Sequence, residues 1–278
     1  MKLRVATCRV LPEPDVDEVP LAEALAAAGF DARWVAWDDP AADWDAPIPT
    51  ILRSTWNYAL HVDAFLAWLD RAAVAAPLLN PPSICRDNVR KRYLLALAAR
   101  GVPIVPTTLV ERGGALDLST LDAPRIVIKP EVGAGSLDAA AFSPSDPAAA
   151  RHLARLTARG AALVQPYLPS VEGYGERSLV WIDGALSHAI RKTPRFTGDA
   201  ERVDGPYEIA DDERAVALAA LAPYGDVLYA RVDLARDGAG RPLVMELELV
   251  EPSLFFGRGP GAATRFAAGL ARRLGART

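Results

Sequence analysis

The segment RPLVMELELVEPS, Arg241–Ser253, alternates apolar and acidic residues with a period of two. An extended strand puts successive side chains on opposite faces. Met245, Leu247 and Leu249 therefore share one face, and Glu246 and Glu248 the other. Isolated carboxylates are costly to bury, so the acidic face has to meet solvent or positive charge. Upstream, VLYARVDLARDGAG supplies a second strand and a turn rich in Asp and Gly, the signature of a hairpin. Tyr229, Arg231 and Asp233 share one of its faces, Val232 and Leu234 the other. A turn centred near Ala239 and Gly240 sets Asp233 opposite Glu246 and Arg231 close to Glu248. One face then gathers three carboxylates beside one arginine. Hard divalent cations such as Mg²⁺ take a few carboxylate oxygens, completed by water and phosphate. A solvated sheet face would give the same alternation, at the mild cost of like charges set side by side. Glu251 has the opposite parity and precedes Pro252, which puts it outside the primary ligands. It is expected to position the loop PSLFF near a substrate.

At 278 residues and 51% hydrophobic, the chain is long enough for two or three packed units. A net charge of −4 gives no electrostatic reason to expect a nucleic-acid or anionic-membrane partner. Only Cys8 and Cys85 are present, which argues against a disulfide framework or a Cys-rich zinc site. MKLRVATCRV reads as a short strand without the apolar core of a signal peptide. No uninterrupted run of ~20 apolar residues appears, so the expectation is a soluble cytoplasmic protein.

The order of elements predicts an α/β (α+β) chain in three parts. Residues 1–80 alternate strand and helix: LRVATCRV, VPLAEALAAAGF, DARWVAW, PTILRSTWNY and HVDAFLAWLDRAAV. Residues 81–168 hold a helix in VRKRYLLALAARG, strands in VPIVPTTLV, RIVIKP and AALVQPYLP, and the helix DPAAARHLARLTARG. Residues 169–278 hold the hairpin RSLVWIDGALSHAIRKTP turning at Asp183-Gly184, the helix DDERAVALAALAPYG, the acidic hairpin and a closing helix GAATRFAAGLARRLG.

Four further stretches have chemical potential beside an ordinary reading. In RIVIKPEVGAGS a strand ends at Lys129 and opens into Gly133, Gly135 and Ser136; such a loop can offer backbone N–H groups to phosphate, or be a plain turn. It is not a P-loop, since no Gly-Lys-Ser/Thr follows. In LVQPYLPSVEGYGERS, Pro166 and Pro169 interrupt regular pairing, which leaves backbone for a flat heterocycle and Glu172 or Glu176 for a sugar hydroxyl. Lys91 and the pair Arg191-Lys192 sit by element ends, as surface charges or as polyphosphate contacts. RSTWNY follows a strand of an α/β sheet, where ligands collect beyond the carboxyl ends. Arg53, Ser54, Thr55 and Asn57 could hold a small polar substrate there, with Cys8 and Asp15 nearby; helix capping is the alternative.

The order of RKRYLLALAARGVPIVPT, IVIKPEVGAGS, LVQPYL, YARVDL and MELELVEPS resembles the ATP-grasp superfamily, which includes D-alanine–D-alanine ligase and bacterial glutathione synthetase. RSTWNY, NPPSICRDN and LSHAIRK add a resemblance to the branch containing the cycloserine-forming O-ureido-D-serine ligase. The likeness runs from about Asn80 to the end, and the small Rossmann-like domain before it is also typical. It implies an ATP-grasp fold with central and C-terminal subdomains clamping ATP. It implies that Lys129 and Lys91 contact phosphates, that the loop Gly133–Ser136 closes over them, and that Gln165, Pro166, Tyr167 and Leu168 form the adenine hinge. Glu172 or Glu176 would lie near the ribose. Asp233, Glu246 and Glu248 would hold two Mg²⁺ ions. Lys192 would approach the γ-phosphate, Arg231 would face the developing oxyanion, and Ser253 would join the substrate contacts. Two residues depart from the pattern: Glu248 stands where the two named ligases have Asn, and Arg90 stands where an acidic residue commonly precedes the lysine.

The resemblance implies an ADP-forming ligase joining a carboxylate to an amine on a small amino-acid-like substrate. Four forms remain open at this point: cyclisation within one molecule, as in cycloserine formation; an intermolecular dipeptide or amide ligase; a nucleotide-binding module without catalysis; and a metal-stabilised structural protein. Dimers are common among the relatives, and a homodimer is left open with them.

Overall fold

The chain opens with an alternation of short strands and helices. β1 (Lys2–Thr7), α1 (Glu18–Ala27), β2 (Asp31–Ala36), β3 (Thr50–Ser54), α2 (Val62–Ala75) and β4 (Leu78–Leu79) follow one another. The four strands pair in parallel in the order β2-β1-β3-β4. β3 is buried along its whole length, as a parallel strand covered on both faces must be. This is a computed structural model, and it describes residues 1–135, 137–193 and 202–276.

α3 (Pro82–Asn88) and α4 (Tyr93–Ala99) lead away from this sheet. The sequence predicts one helix from Val89; the structure puts Arg90, Lys91 and Arg92 in a turn before α4. The cause is Glu131, buried, whose carboxylate takes Arg92 and Arg90 while its carbonyl accepts the Lys91 N–H at 2.9 Å. The turn is thereby tied to the next sheet. That sheet is antiparallel, β5 (Thr108–Val110), β6 (Ile126–Pro130), β7 (Ala140–Phe142) and β8 (Ala162–Pro166), in the order β5-β8-β6-β7. α5 (Pro147–Thr157) backs it with Ala149, Leu153 and Leu156 against Ile126, Ile128 and Val164. The helix begins at Asp146, whose carboxylate accepts the Ala148 N–H, with Pro147 in the first turn.

After the short α6 (Ser170–Gly173) comes a five-stranded sheet: β9 (Glu176–Ile182), β10 (Ala185–Thr193), β11 (Arg202–Tyr207), β12 (Tyr229–Arg236) and β13 (Pro242–Glu248), in the order β11-β10-β9-β12-β13. Asp183 and Gly184 carry φ of 48° and 86° at the β9–β10 turn, the conformation a two-residue hairpin requires. Pro194, the last residue of the expected hairpin segment, lies outside the described residues. α7 (Asp211–Leu221) covers one face of this sheet, and α8 (Ala262–Arg273) covers the other together with α1. One core, including Leu3, Val5, Leu21 and Leu25, runs into Val180, Ile182, Phe266 and Leu270. The Tyr229 hydroxyl ties β12 to the β3 carbonyl of Leu52 at 3.0 Å.

β13 is the last strand of its sheet, and an unpaired edge buried inside a protein leaves costly orphan groups. The backbone of Pro103 and Val105 pairs with Val244 at 2.9 Å, and side chains from NPPSICRDN supply partners further along. The Asn80 amide donates to the carbonyls of Tyr229 and Leu249 at 2.8 and 2.9 Å and accepts the Leu228 N–H at 2.8 Å. The Asn88 amide donates to Leu247 at 2.8 Å and accepts from Leu249 at 2.7 Å. The Tyr93 hydroxyl accepts the Leu247 N–H at 2.9 Å. Replacing Asn80 by Ala orphans three buried backbone groups, each costing about 1–3 kcal/mol. Asn80→Ala is expected to lower the unfolding free energy by roughly 3 kcal/mol or more, read from the urea midpoint; a shift within error would contradict this pinning.

Candidate active site

The register of the β12–β13 hairpin pairs Arg231 with Glu248 and Asp233 with Glu246. All four side chains therefore share a face, as the turn placement predicts. Between Asp233 and Leu234 the register shifts, and Met245 is the extra residue. Expected on the apolar face, Met245 instead borders the cavity, because a bulge re-aims the strand locally.

A cavity of about 900 Å³ opens over this face. Its walls bring together Lys91, Lys129, Gly133, Gly135, Gln165, Pro166, Tyr167, Leu168, Glu176, Lys192, Arg231, Glu246, Glu248, Asn57 and Ser253. Lys129 Nζ donates to Glu246 at 2.8 Å. Lys91 Nζ donates to the Gly133 carbonyl at 2.6 Å and lies 3.9 Å from Glu246, which ties the glycine loop to the turn before α4. Lys192 Nζ lies 2.9 Å from Asp233 and also pairs with Glu176. Arg231 forks onto Asp233 at 2.8 and 2.9 Å, pairs with Glu248 and donates to the Ser253 carbonyl at 3.1 Å.

Electrostatics follow from this pairing. Burial pushes the Glu246 carboxyl up, but Lys129 and Lys91 outweigh it and bring it down to about 2. Burial acts on Asp233 too, and Arg231 with Lys192 hold it well below the carboxylate range. Burial opposes the charge of Lys192, yet Asp233 and Glu176 keep it firmly protonated. In Glu176 burial wins over Lys192, and the carboxyl rises to about 7. Glu248 is likewise raised by burial, against Arg231.

Not every expected residue reaches the cavity. Asp233 stands behind the wall, 1% exposed, and acts on the cavity through Arg231 and Lys192. Glu172 is exposed and takes the Tyr167 hydroxyl and Arg125; the cavity has Glu176 instead. Ser136 lies outside the described residues. Arg53, Ser54 and Thr55 are buried and do not line the cavity, which corrects the expectation of substrate contact there. Arg53 is turned inward onto Asp17 at 3.1 Å, between the rings of Tyr229 and Phe256. Asp17 is the residue the sequence concealed. Its carboxylate accepts the N–H groups of Leu254, Phe255 and Phe256 at 2.5, 3.2 and 2.7 Å, fixing the loop after Ser253. Cys8 and Cys85 are buried core residues, and Asp15 caps the turn before Asp17. Asn57 does reach the wall, donating to Asp38 at 2.7 Å and accepting from Trp37 at 2.6 Å.

Glu251 is in the wall as well, 8% exposed. Its carbonyl accepts from Trp56 Nε1 at 3.1 Å, and the Tyr58 hydroxyl stands close enough to favour its ionised form. Burial, then Glu248, push this carboxyl up to about 8.

Among the described residues no three His, Cys, Asp or Glu side chains stand ready around a single metal ion. By donor chemistry Asp233, Glu246 and Glu248 do fit a hard divalent cation: they offer oxygen only, from one hairpin face, and each now holds a side-chain cation as its compensation.

The raised Glu251 has a measurable sign. Below about 4.5 it is protonated folded and unfolded; between about 4.5 and 8 only the unfolded chain ionises it. Stability therefore falls as pH rises through that window. Glu251→Gln is expected to remove this loss, so the variant gains on the parent by an amount of the order of a few kcal/mol toward pH 8. Parallel stability–pH curves from urea unfolding would contradict it.

Comparison with known proteins agrees with this geometry. The family description "D-cycloserine synthetase DcsG, N-terminal domain" matches residues 3–80. The cycloserine biosynthesis protein DcsG of Streptomyces lavendulae is 38% identical over 283 residues, 94% of each chain. The crystal structure of D-cycloserine synthetase DcsG superposes with a TM-score of 0.90 at 36% identity, over 99% of this chain and 100% of that one. D-alanine–D-alanine ligase of Bacillus anthracis, complexed with ATP, gives 0.67 at 16% identity over 99% and 97%, a likeness of fold. This chain belongs to the DcsG family of ATP-grasp carbon–nitrogen ligases.

Proposed function

We propose that this protein uses ATP to activate the carboxylate of a small amino-acid-derived substrate and closes it onto a nitrogen of the same molecule, forming cycloserine or a near analogue. The observation that carries this is the convergence of Lys91, Lys129, Lys192 and Arg231 on one cavity, whose far wall is the strand-end segment with Asn57. The relative named for cycloserine biosynthesis, similar along nearly the whole chain, supports the choice of substrate.

A carboxylate is a poor electrophile, so it must first acquire a leaving group. Its oxygen attacks the γ-phosphorus, the bond to ADP breaks, and an acyl phosphate remains. Such transfer is catalysed by positioning and charge neutralisation rather than by a protein nucleophile. Lys129 and Lys91 would hold the phosphates, and Lys192 would meet the transferred group. Gly133–Ser136 would close over them and keep water from the acyl phosphate. Gln165, Pro166, Tyr167 and Leu168 would hold the adenine, with Glu176 nearer the ribose than Glu172. Two Mg²⁺ ions held by Asp233, Glu246 and Glu248 would supply neutralisation of the phosphate charge. The nitrogen lone pair then attacks the acyl carbon, phosphate leaves with the C–O electrons, and the nitrogen sheds a proton. Arg231 would donate to the tetrahedral oxyanion, held in place by Asp233 and the Ser253 carbonyl. We also propose that the chain divides functionally at 1–80, 81–168 and 169–278, one sheet to each part.

ADP release with a single amino-acid substrate, compared with pairs, tests the reading: turnover on one substrate is expected, and a strict need for a second amine would sink cyclisation. Glu246→Ala is expected to fold and to lose on the order of 10²–10³ or more in kcat. Unchanged Mg²⁺-dependent turnover in that variant would contradict the metal assignment.

A further inference from the structure

The cavity presents its carboxylates in two states of pairing. Glu246 has Lys129 and Lys91, Glu248 has Arg231, and Glu176 has Lys192. Among the described residues, Glu251 has no lysine, arginine or histidine nitrogen within 4.0 Å, although it is 8% exposed and lines the cavity. The polar side chain acting on it most directly is the Tyr58 hydroxyl, which lowers its carboxyl. Tyr58 is buried, and burial pushes its own ionisation well above the usual value, so it stays a donor. Burial holds this carboxyl in its neutral form up to about pH 8; a cation bound beside it would draw it into its ionised form, which offers about four acceptor sites.

Asp38 and Glu13 are the other acids lining the cavity. Asp38 Oδ1 accepts the Arg9 N–H at 2.8 Å and Oδ2 accepts from Asn57 at 2.7 Å, whereas Glu13 is exposed. Lys91 is held by Gly133 and Glu246, and Arg231 by Asp233, Glu248 and Ser253.

We infer that Glu251, backed by Tyr58, is the anchor for the α-ammonium group of the amino-acid substrate. The inference rests on the ligase reading above and adds a recognition element to it. The ammonium has three donors that fit the open acceptor sites of the carboxylate. Anchored there, an amino acid keeps its carboxylate free for phosphorylation toward the Arg231 side. A chain carrying the same carboxylate and nucleophile without the amine would lack this hold, so Glu251 acts as a specificity determinant rather than as a group in the chemistry.

The test compares binding of D-cycloserine and of isoxazolidin-3-one, its analogue without the amino group, at a pH where that amine is protonated. Calorimetry on the full-length protein is run for wild type, Glu251→Gln, Tyr58→Phe and Asp38→Asn. Wild type is expected to favour D-cycloserine by about tenfold or more, the worth of a charge-assisted hydrogen bond. Glu251→Gln is expected to bring the ratio near one while ATP affinity stays within about twofold and thermal stability is equal or higher. Tyr58→Phe should reduce the ratio partly. A ratio preserved in Glu251→Gln, a ratio near one in wild type, or a ratio lost in Asp38→Asn alone overturns the inference. So does a Glu251→Gln protein that no longer folds, since that assigns the carboxyl to the scaffold. Failure of wild type to release ADP with any single amino acid is a different result, and it strikes the cyclising ligase reading instead.

Discussion

The antiparallel pairing of β12 with β13 is the constraint on which the site depends. It places Arg231, Asp233, Glu246 and Glu248 on one face. A slip of β13 by one residue would turn Glu246 and Glu248 into the apolar core. The register is secured from both sides. Across the hairpin the sheet continues into β9, and on the open edge Asn80, Asn88 and Tyr93 take the backbone groups that no further strand provides. Asp17 performs a similar service for the loop that follows, gripping Leu254, Phe255 and Phe256.

The charged face is poorly explained as a device for stability. Exchanging a buried ion network for apolar side chains is often neutral or stabilising, yet this cavity concentrates Lys129, Lys192, Arg231, Asp233, Glu246 and Glu248. Their mutual pairing makes sense as a holding pattern. Each cation is where a phosphate oxygen or an oxyanion would be met, and each carboxylate is where a metal ion would be met. Without those ligands the two sets neutralise each other. Glu251 stands apart, without an ion pair within 4.0 Å among the described residues; burial and then Glu248 raise it against the more distant Lys91 and Arg231.

Much of this was legible in residue order. The period-two alternation of MELELV gave the two faces, and the Asp-Gly turn residues gave the pairing of Asp233 with Glu246 and of Arg231 with Glu248. Strand ends and glycines placed Lys129, Gly133 and Gln165 at the cavity wall. What stayed hidden depends on contacts distant in sequence. Arg53 looks like a ligand-binding residue at a strand end until Asp17, on another element, claims it. Asn80 and Asn88 look like turn formers until the bare edge of β13 arrives beside them. Parity set Glu251 apart from Glu246 and Glu248, but it lies beyond the strand and lines the same cavity, and parity carries no information about Tyr58 beside it. The bulge at Met245 likewise arises from pairing, not from any local preference of VMEL.

The central claim is that cations and carboxylates paired across the cavity exchange these partners for nucleotide and metal. A crystal structure of the wild-type protein with a non-hydrolysable ATP analogue and Mg²⁺ tests it most directly. The account predicts that Lys129 and Lys91 leave Glu246 for phosphate oxygens and that Glu246 and Glu248 turn to metal. An occupied nucleotide site with Lys129 still 2.8 Å from Glu246, and with no metal on the hairpin, would contradict it.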